Sequence, residues 1–122
     1  MKRWFMAIAV AAIAFGATAA SAADLRDVTV INGTGWKIKF LGFNNPGDNQ
    51  WSENELTNPL DDGDKVDVKF STADKGCVWN FRIEWFDPGY PGVIWQRINL
   101  CSIDEITLKY DRNTDKTTAV TR

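Results

Sequence analysis

Side chains that commonly carry out catalysis are scarce in this chain. Its 122 residues include no histidine and two cysteines, Cys77 and Cys101. Without histidine there is no Ser/His/Asp or Cys/His nucleophile system, and the usual zinc ligand set is missing. We therefore expect a protein that is not an enzyme of these classes and that needs no cofactor.

Carboxylates are the remaining catalytic groups. Glycoside hydrolysis requires only two acidic groups at a set separation, so an acid-pair hydrolase is one alternative function. Nothing in the spacing of the acidic residues selects one pair, and solvated surface positions explain them equally simply. The candidate residues are Glu53, Glu55, Asp61, Asp62, Asp64 and Glu84.

The acidic run at 61–64 has a second interpretation. Calcium prefers carboxylate oxygens from loops, and Asp61, Asp62 and Asp64, with Asp48 or Glu53, offer them. The run lacks the spacing of a helix-loop-helix calcium site, and Asp-Asp-Gly-Asp is ordinary turn composition. The sequence favours a turn here and keeps a structural calcium ion as the alternative.

Aromatic residues form the third chemically distinctive group. Alternation places Trp79 and Trp85 on one apolar face, which predicts core packing. Aromatic rings left outside the core could stack on sugar rings or anchor a protein partner. We predict such contacts for residues in irregular segments or on less apolar faces, namely Trp51, Tyr90, Trp95 and Arg97.

The segment 77–101 is predicted to be a hairpin joined by a disulfide. Pairing about Gly89 places Trp85 opposite Val93 and Cys77 opposite Cys101, at a distance that a disulfide tolerates. The loop 87–91 is rich in Pro and Gly, as a hairpin connection requires. The apolar faces of the two strands do not match in this register, so a bulge or a one-residue slip remains open.

The other segments also have the alternation of strands. Apolar and polar residues alternate in 36–40 and 66–70 and, at Val28 and Val30, within 25–31. Apolar residues within 103–110 mark a further strand, and a short polar strand is expected at 117–121. Asn32-Gly33 predicts a hairpin turn between the first two strands. The irregular segment 44–60 is expected to be a long loop with one helical turn, in which Ser52 would pair with Glu55. The fold class is therefore all-β: a small antiparallel sandwich, immunoglobulin-like or a related Greek key, with a small barrel as the alternative.

The first 22 residues have the layout of a secretory signal peptide. Lys2 and Arg3 precede an apolar run that is too short to span a bilayer, and small residues follow at 20–22. Cleavage would leave a single β domain at 23–122. A disulfide agrees with export, because disulfides persist in oxidising compartments such as the periplasm or the extracellular space.

Several short motifs resemble a group of small secreted bacterial β-sandwich proteins of unassigned function. Their pattern combines an Asn-x-Thr-Gly turn, a loop tryptophan, a Leu-x-x-Gly turn and one cysteine pair; Ser52 stands where the pattern has glycine after the tryptophan. The resemblance implies export and a β fold and does not assign an activity. The matching residues are Asn32, Thr34, Gly35, Trp51, Leu60, Gly63, Cys77 and Cys101.

The sequence favours a binding module over an enzyme. The formal net charge is −2 with both signs scattered, which argues against nucleic acid and anionic membranes as partners. We expect a secreted or periplasmic domain that binds a protein partner without transforming it. Recognition of a carbohydrate by exposed Trp and Tyr residues, with or without structural calcium, is the alternative.

Overall fold

The protein is an all-β domain in a computed structural model that describes residues 24–71 and 73–122. The predicted signal peptide lies outside the described residues. A short 3-10 helix, Leu100–Ser102, follows the fifth strand. The strands are β1 (Val28–Gly33), β2 (Ile38–Asn44), β3 (Lys65–Val68), β4 (Val78–Trp85), β5 (Val93–Asn99), β6 (Glu105–Asp111) and β7 (Lys116–Thr121).

Two packed sheets form a sandwich, as the alternating sequence pattern predicts. One sheet has the strand order β3-β1-β6-β7, and the other has the order β2-β4-β5. All neighbours are antiparallel except β1 and β6, which run parallel. Within the described part of the chain, no helix has the length and apolar character that crossing a membrane would require.

The core lies between the two sheets and takes residues from both. On β4, buried and half-exposed residues alternate, so that Trp79, Phe81 and Ile83 face inward as predicted. The Phe81 ring stacks between Phe43 and Trp95, with ring centroids 4.9 and 5.2 Å away. Buried aromatic side chains contribute much of the apolar area that stabilises so small a domain.

The predicted hairpin between the first two strands is wrong. β1 pairs with β3 and β6, whereas β2 pairs with β4, so the chain changes sheets between Gly33 and Ile38. The side chain of Asn32 is fully buried and holds this crossing. It donates to the carbonyl oxygens of Trp36 (2.7 Å) and Leu60 (3.0 Å), and its own oxygen accepts from the Thr34 hydroxyl (2.7 Å). A buried amide with these partners satisfies backbone groups that a simple turn would leave exposed.

A bulge in β2 changes which of its residues face the core. Ile38 pairs with Trp85, but Phe40 pairs with Glu84, so Lys39 is an extra residue in the ladder. Because one inserted residue reverses the alternation, Phe40 lies on the outer face while Leu41 and Phe43 are buried.

The hairpin of β4 and β5 exists, but its register differs from the symmetric pairing about Gly89. Phe81 faces Trp95 and Ile83 faces Val93, and a bulge on β5 restores contact further along, where Trp79 faces Ile98. Arg97 at this bulge has a φ of 56°. The predicted mismatch between the apolar faces of the two strands is therefore resolved by a bulge.

The disulfide between Cys77 and Cys101 is confirmed, although the two residues are not directly opposed. Leu100 pairs with Cys77 through a 2.8 Å hydrogen bond from its N–H. The chain then enters the 3-10 helix, which brings the Cα of Cys101 to 5.2 Å from the Cα of Cys77. Linking these positions closes the open end of the hairpin.

The segment 44–60 contains no helical turn at Ser52. It instead runs along β2 and satisfies its outer edge. The N–H groups of Ser52 and Glu55 donate to the carbonyl oxygens of Phe43 (2.8 Å) and Leu41 (2.9 Å). Ser52 Oγ in turn accepts from the Phe43 N–H (3.0 Å). This loop therefore replaces a missing neighbour strand, which explains its ordered but irregular course.

Candidate binding cleft

A cavity lies at one end of the sandwich, opposite to the disulfide. It has a volume of about 600 Å³, within the range of small-ligand sites. Three connections meet there because the parallel strands β1 and β6 end at the same side, and β4 also ends there. We call it the aromatic cleft; its lining residues include Trp36, Trp85, Phe86, Tyr90, Pro91 and Tyr110.

Trp36 is an exposed side chain on a fixed backbone. The residue is 55 % exposed. Its backbone is nevertheless fixed by two hydrogen bonds: its N–H donates to Thr34 Oγ1 (3.1 Å), and its carbonyl accepts from Asn32 Nδ2 (2.7 Å). Asn32 and Thr34 are themselves buried. Leaving a large apolar ring in water has no stabilising value, so a rigidly presented exposed tryptophan is typical of a contact residue.

Tyr110 forms the facing wall of the cleft. Its ring meets the Trp36 ring edge-on, with centroids 6.5 Å apart and planes at 80°. Its hydroxyl donates to Asp115 Oδ1 at 2.8 Å, and this hydrogen bond raises the pKa of Tyr110 above its usual value. Asp115 has a φ of 54°, so the turn between β6 and β7 holds the carboxylate toward the tyrosine.

The tip of the β4–β5 hairpin forms the third wall. Phe86 and Tyr90 are 53 % and 64 % exposed. Phe86 donates its N–H to the Lys37 carbonyl (2.9 Å), and the Lys37 ammonium lies 5.0 Å from the centroid of the Phe86 ring. Asp87 Oδ1 accepts from the Gly89 N–H (2.9 Å), which fixes the turn that carries Tyr90.

The charges around the cleft balance. Lys37 and Lys116 line it together with Asp87 and Asp115, and Lys37 also lies 3.6 Å from Asp61. A cleft with aromatic walls and balanced charges at its rim favours apolar ligands with a few polar contacts over strongly charged ones.

Of the four predicted contact residues, Tyr90 lines the cleft and three lie elsewhere. Trp95 is half-buried and stacks on Phe81. Arg97 is exposed at the β5 bulge, where its N–H donates to Asn80 Oδ1 (3.1 Å). The structure therefore does not bring these residues together into one surface with Tyr90.

Trp51 belongs to a separate cluster on the outer face of the three-stranded sheet. The guanidinium of Arg82 lies 5.7 Å from the Trp51 ring and 5.6 Å from the Phe40 ring. It also forms an ion pair with Glu84. A cation between two aromatic rings is an internally satisfied arrangement, and Trp51 is half-buried within it.

The acidic turn at 61–64 packs against the crossing between β1 and β2. Asp62 Oδ1 accepts from the Gly35 N–H (2.8 Å), and Gly63, with a φ of 89°, donates its N–H to the Asn32 carbonyl (2.6 Å). Among the described residues, no group of three or more acidic or cysteine side chains is close enough to hold a metal ion. Calcium binding by Asp61, Asp62 and Asp64 stays a prediction.

The acid-pair candidates do not line the cleft. Its two acidic residues are Asp87 and Asp115, which the sequence did not single out. The carboxylates named from sequence lie in the 44–64 segment or, for Glu84, in the ion pair with Arg82. Asp61 and Asp62 lie beside the cleft, where they contact Lys37 and Gly35, but neither residue lines it.

Sequence reasoning missed most of the cleft. Trp36 seemed to belong to the apolar face of a strand that in fact begins at Ile38. A usable signal was present: Trp36 and Phe86 lie in the connections that follow β1 and β4, and Tyr110 is the next-to-last residue of β6, and these three strands end on one side of the sandwich. Aromatic residues beside turns are poorly placed for the core and well placed for contacts.

No protein family matches this chain, and neither a curated protein nor a solved structure is similar enough to count as a match.

Proposed function

We propose that this protein is an exported, non-catalytic binding domain whose aromatic cleft takes an apolar segment of a partner protein. The observation that carries the proposal is Trp36, a largely exposed indole whose backbone is held by two buried polar side chains. Tryptophan and tyrosine dominate the energetics of protein interfaces because they bury large areas at low conformational cost.

The shape of the cleft favours a protein segment over a sugar ring. Stacking on a sugar requires an open, flat aromatic platform, whereas the Trp36 and Tyr110 rings meet edge-on, nearly perpendicular, in the wall of a concavity. Such a cleft suits an apolar side chain that packs into the concavity against several rings, as aromatic-lined grooves do for proline-containing segments. Carbohydrate binding is the alternative, and Tyr90, the most exposed aromatic ring of the cleft, is the residue that would serve it.

Export is part of the proposal. The Cys77–Cys101 disulfide supports an oxidising compartment, and the N-terminal sequence pattern supports secretion. The partner would then be a periplasmic or extracellular protein.

The test uses short random peptides displayed on phage and selected against the protein. We expect selected peptides to contain aromatic or proline residues. We also expect their affinity to fall about tenfold or more with Trp36→Ala, because central aromatic anchors contribute about 2 kcal/mol or more.

Trp51→Ala is the matched control, because it also removes a partly exposed indole and lies on another surface. The affinity of the Trp51→Ala variant for the selected peptides should equal that of the wild type. Selected peptides whose binding is weakened by Trp51→Ala and not by Trp36→Ala would contradict the proposal. Quenching of tryptophan fluorescence by soluble oligosaccharides, lost in Tyr90→Ala, would support the carbohydrate alternative instead.

A further inference from the structure

The four outer strands of the two sheets differ in how their free edges are protected. An unprotected edge presents backbone N–H and C=O groups that pair readily with another chain. In β2 the edge is covered by the segment 52–60. β3 has four residues, with charged Lys65 and Asp67 exposed, and β5 is interrupted by the bulge at Arg97.

β7 has none of these protections. It is six residues long, contains no proline or glycine, and pairs with β6 in an unbroken register from Lys116 to Thr121. Its charged residue, Lys116, stands at one end. The edge of β7 is therefore the most regular open edge in the described part of the molecule.

The alternation of hydrogen bonds between β6 and β7 shows which backbone groups of β7 point away from β6. Glu105 and Arg122 exchange both backbone hydrogen bonds, at 3.0 and 2.9 Å. Because such pairs alternate along an antiparallel ladder, Thr118 and Val120 also point their backbone groups toward β6. The N–H and C=O groups on the open side are consequently those of Thr117, Ala119 and Thr121.

This open edge begins at the aromatic cleft. Lys116 and Thr117, the first residues of β7, line the cleft together with Tyr110. A chain that paired with β7 would thus reach the cleft at the Thr117 end. The edge supplies backbone hydrogen bonds, and the cleft supplies a place for one apolar side chain. In strand addition, backbone hydrogen bonds give affinity and side-chain pockets give specificity.

A second copy of this chain is disfavoured in the register centred on Ala119. Antiparallel pairing of two β7 strands in that register would set Lys116 of each copy opposite Arg122 of the other. Like charges directly opposed across strands are destabilising. The continuity of the open edge with the cleft at Lys116 and Thr117 favours an extended segment of the partner protein as the added strand.

We propose that an extended segment of the partner protein adds to β7 as a further strand and places an apolar side chain in the aromatic cleft. This proposal rests on the proposed protein ligand of the cleft. It assigns the specificity to the cleft and a sequence-independent part of the affinity to the backbone of β7.

Amide hydrogen exchange of the wild-type protein, followed by NMR, tests it with a phage-selected peptide as the probe. Without peptide, the amides of Thr117, Ala119 and Thr121 should exchange rapidly while those of Thr118 and Val120 are protected. With saturating peptide, the exchange of the first three should slow at least about tenfold. Peptide binding that perturbs Trp36 and leaves these amides unchanged would overturn strand addition and leave the cleft function intact. If no selected peptide perturbs Trp36, the cleft function itself fails.

A pair of variants gives a second test. Ala119→Pro removes an N–H on the open edge without removing a β6–β7 hydrogen bond, a position where edge strands tolerate proline. Ala119→Ser keeps the N–H and is the matched control. Peptide affinity should fall about tenfold in the proline variant alone, with the amides of Thr118 and Val120 still protected. Wild-type affinity in Ala119→Pro, with that protection retained, would overturn the proposal.

Discussion

The two ends of this sandwich use similar side chains for different purposes. At the disulfide end, Trp79 is buried and donates its indole N–H to the Gly76 carbonyl (3.0 Å). At the cleft end, Trp36 is mostly exposed although its backbone is firmly held. The disulfide end thus buries its indole in the core, whereas the cleft end leaves an indole exposed, which is where we propose that a ligand binds.

A similar contrast exists between two cations that lie over phenylalanine rings. Arg26 at the disulfide end is buried, lies 5.6 Å from the Phe70 ring and bonds to Asp24 (2.7 Å) and to two backbone carbonyls. Lys37 at the cleft end is exposed over Phe86. Burial and the number of partners, rather than residue type, distinguish a structural contact from an available one.

Truncating the tryptophan at each end gives the largest expected difference. Trp79→Ala should lower the free energy of unfolding by about 3 to 5 kcal/mol, because it removes a large buried side chain. Trp36→Ala should lower it by only about 0.5 to 1.5 kcal/mol, the contribution of its edge-on contact with Tyr110. Urea denaturation of both variants measures the difference, and equal losses would show that Trp36 is part of the core.

Removing the disulfide is expected to have the next largest effect. The double variant Cys77→Ser with Cys101→Ser releases a loop with a sequence separation of 24 residues. In the chain-entropy account this costs about 3 to 4 kcal/mol. Unfolding in urea measures the loss. A folded variant with an unchanged free energy of unfolding would mean that the disulfide does not stabilise the domain.

Exchanging each cation for alanine sharpens the comparison further. Arg26→Ala should destabilise the protein by about 1 to 3 kcal/mol, because it removes a buried side chain that packs on Phe70 and leaves the Asp24 carboxylate without its charged donor. Lys37→Ala is the matched control and should stay within about 0.5 kcal/mol of the wild type. Thermal unfolding of both variants is the measurement, and a larger loss for Lys37→Ala would contradict the contrast.

The ion pair between Arg26 and Asp24 at the disulfide end predicts that the stability of the protein falls at acidic pH. Hydrogen bonds from Arg26 lower the pKa of Asp24 from 3.8 to about 2. A carboxylate whose pKa is lower in the folded state stabilises the protein above the unfolded-state pKa, and that contribution is lost as the pH falls toward about 2.

The variant Asp24→Asn isolates this contribution. Its unfolding free energy should be lower than that of the wild type near neutral pH, and the two curves should converge as the pH approaches about 2. A constant difference between the curves at all acidic pH values would show that ionisation of Asp24 has no part in stability.

The smallest expected effect is at the cleft end. Because the hydrogen bond to Asp115 raises the pKa of Tyr110, Asp115→Asn should return this pKa toward the ordinary value of about 10. Absorbance of the phenolate during an alkaline titration follows it. Because this hydrogen bond is exposed, we expect a change in stability at neutral pH of no more than about 0.5 kcal/mol. An unchanged titration curve would show that Asp115 does not influence the Tyr110 hydroxyl in solution.

The sequence predicted the disulfide end better than the cleft end, for a physical reason. Cysteine pairing and alternating apolar residues are local or nearly local signals, so the disulfide and the inward side of β4 were accessible. A bulge leaves no comparable signal. One extra residue at Lys39 and another at the Gln96–Arg97 position changed which side chains face each other, and both follow from packing across the sheet.

The cleft depends on topology, which the sequence did not provide. Asn32 followed by Gly33 is a strong hairpin signal, but the buried Asn32 side chain instead carries the chain from one sheet to the other. Only this crossing, together with the parallel pairing of β1 and β6, places Trp36 beside Tyr110. Tyr90 was accessible from sequence because its loop position does not depend on strand order.

The proposed function requires that the ligand contact the cleft end and no other aromatic surface of the described residues. The indole N–H signals of the isotope-labelled protein test it directly, because each described tryptophan reports one location. On addition of a phage-selected peptide, we expect the signals of Trp36 and Trp85 to shift and those of Trp51, Trp79 and Trp95 to stay in place. Shifts at Trp51 or Trp95 with an unmoved Trp36 signal would contradict the account.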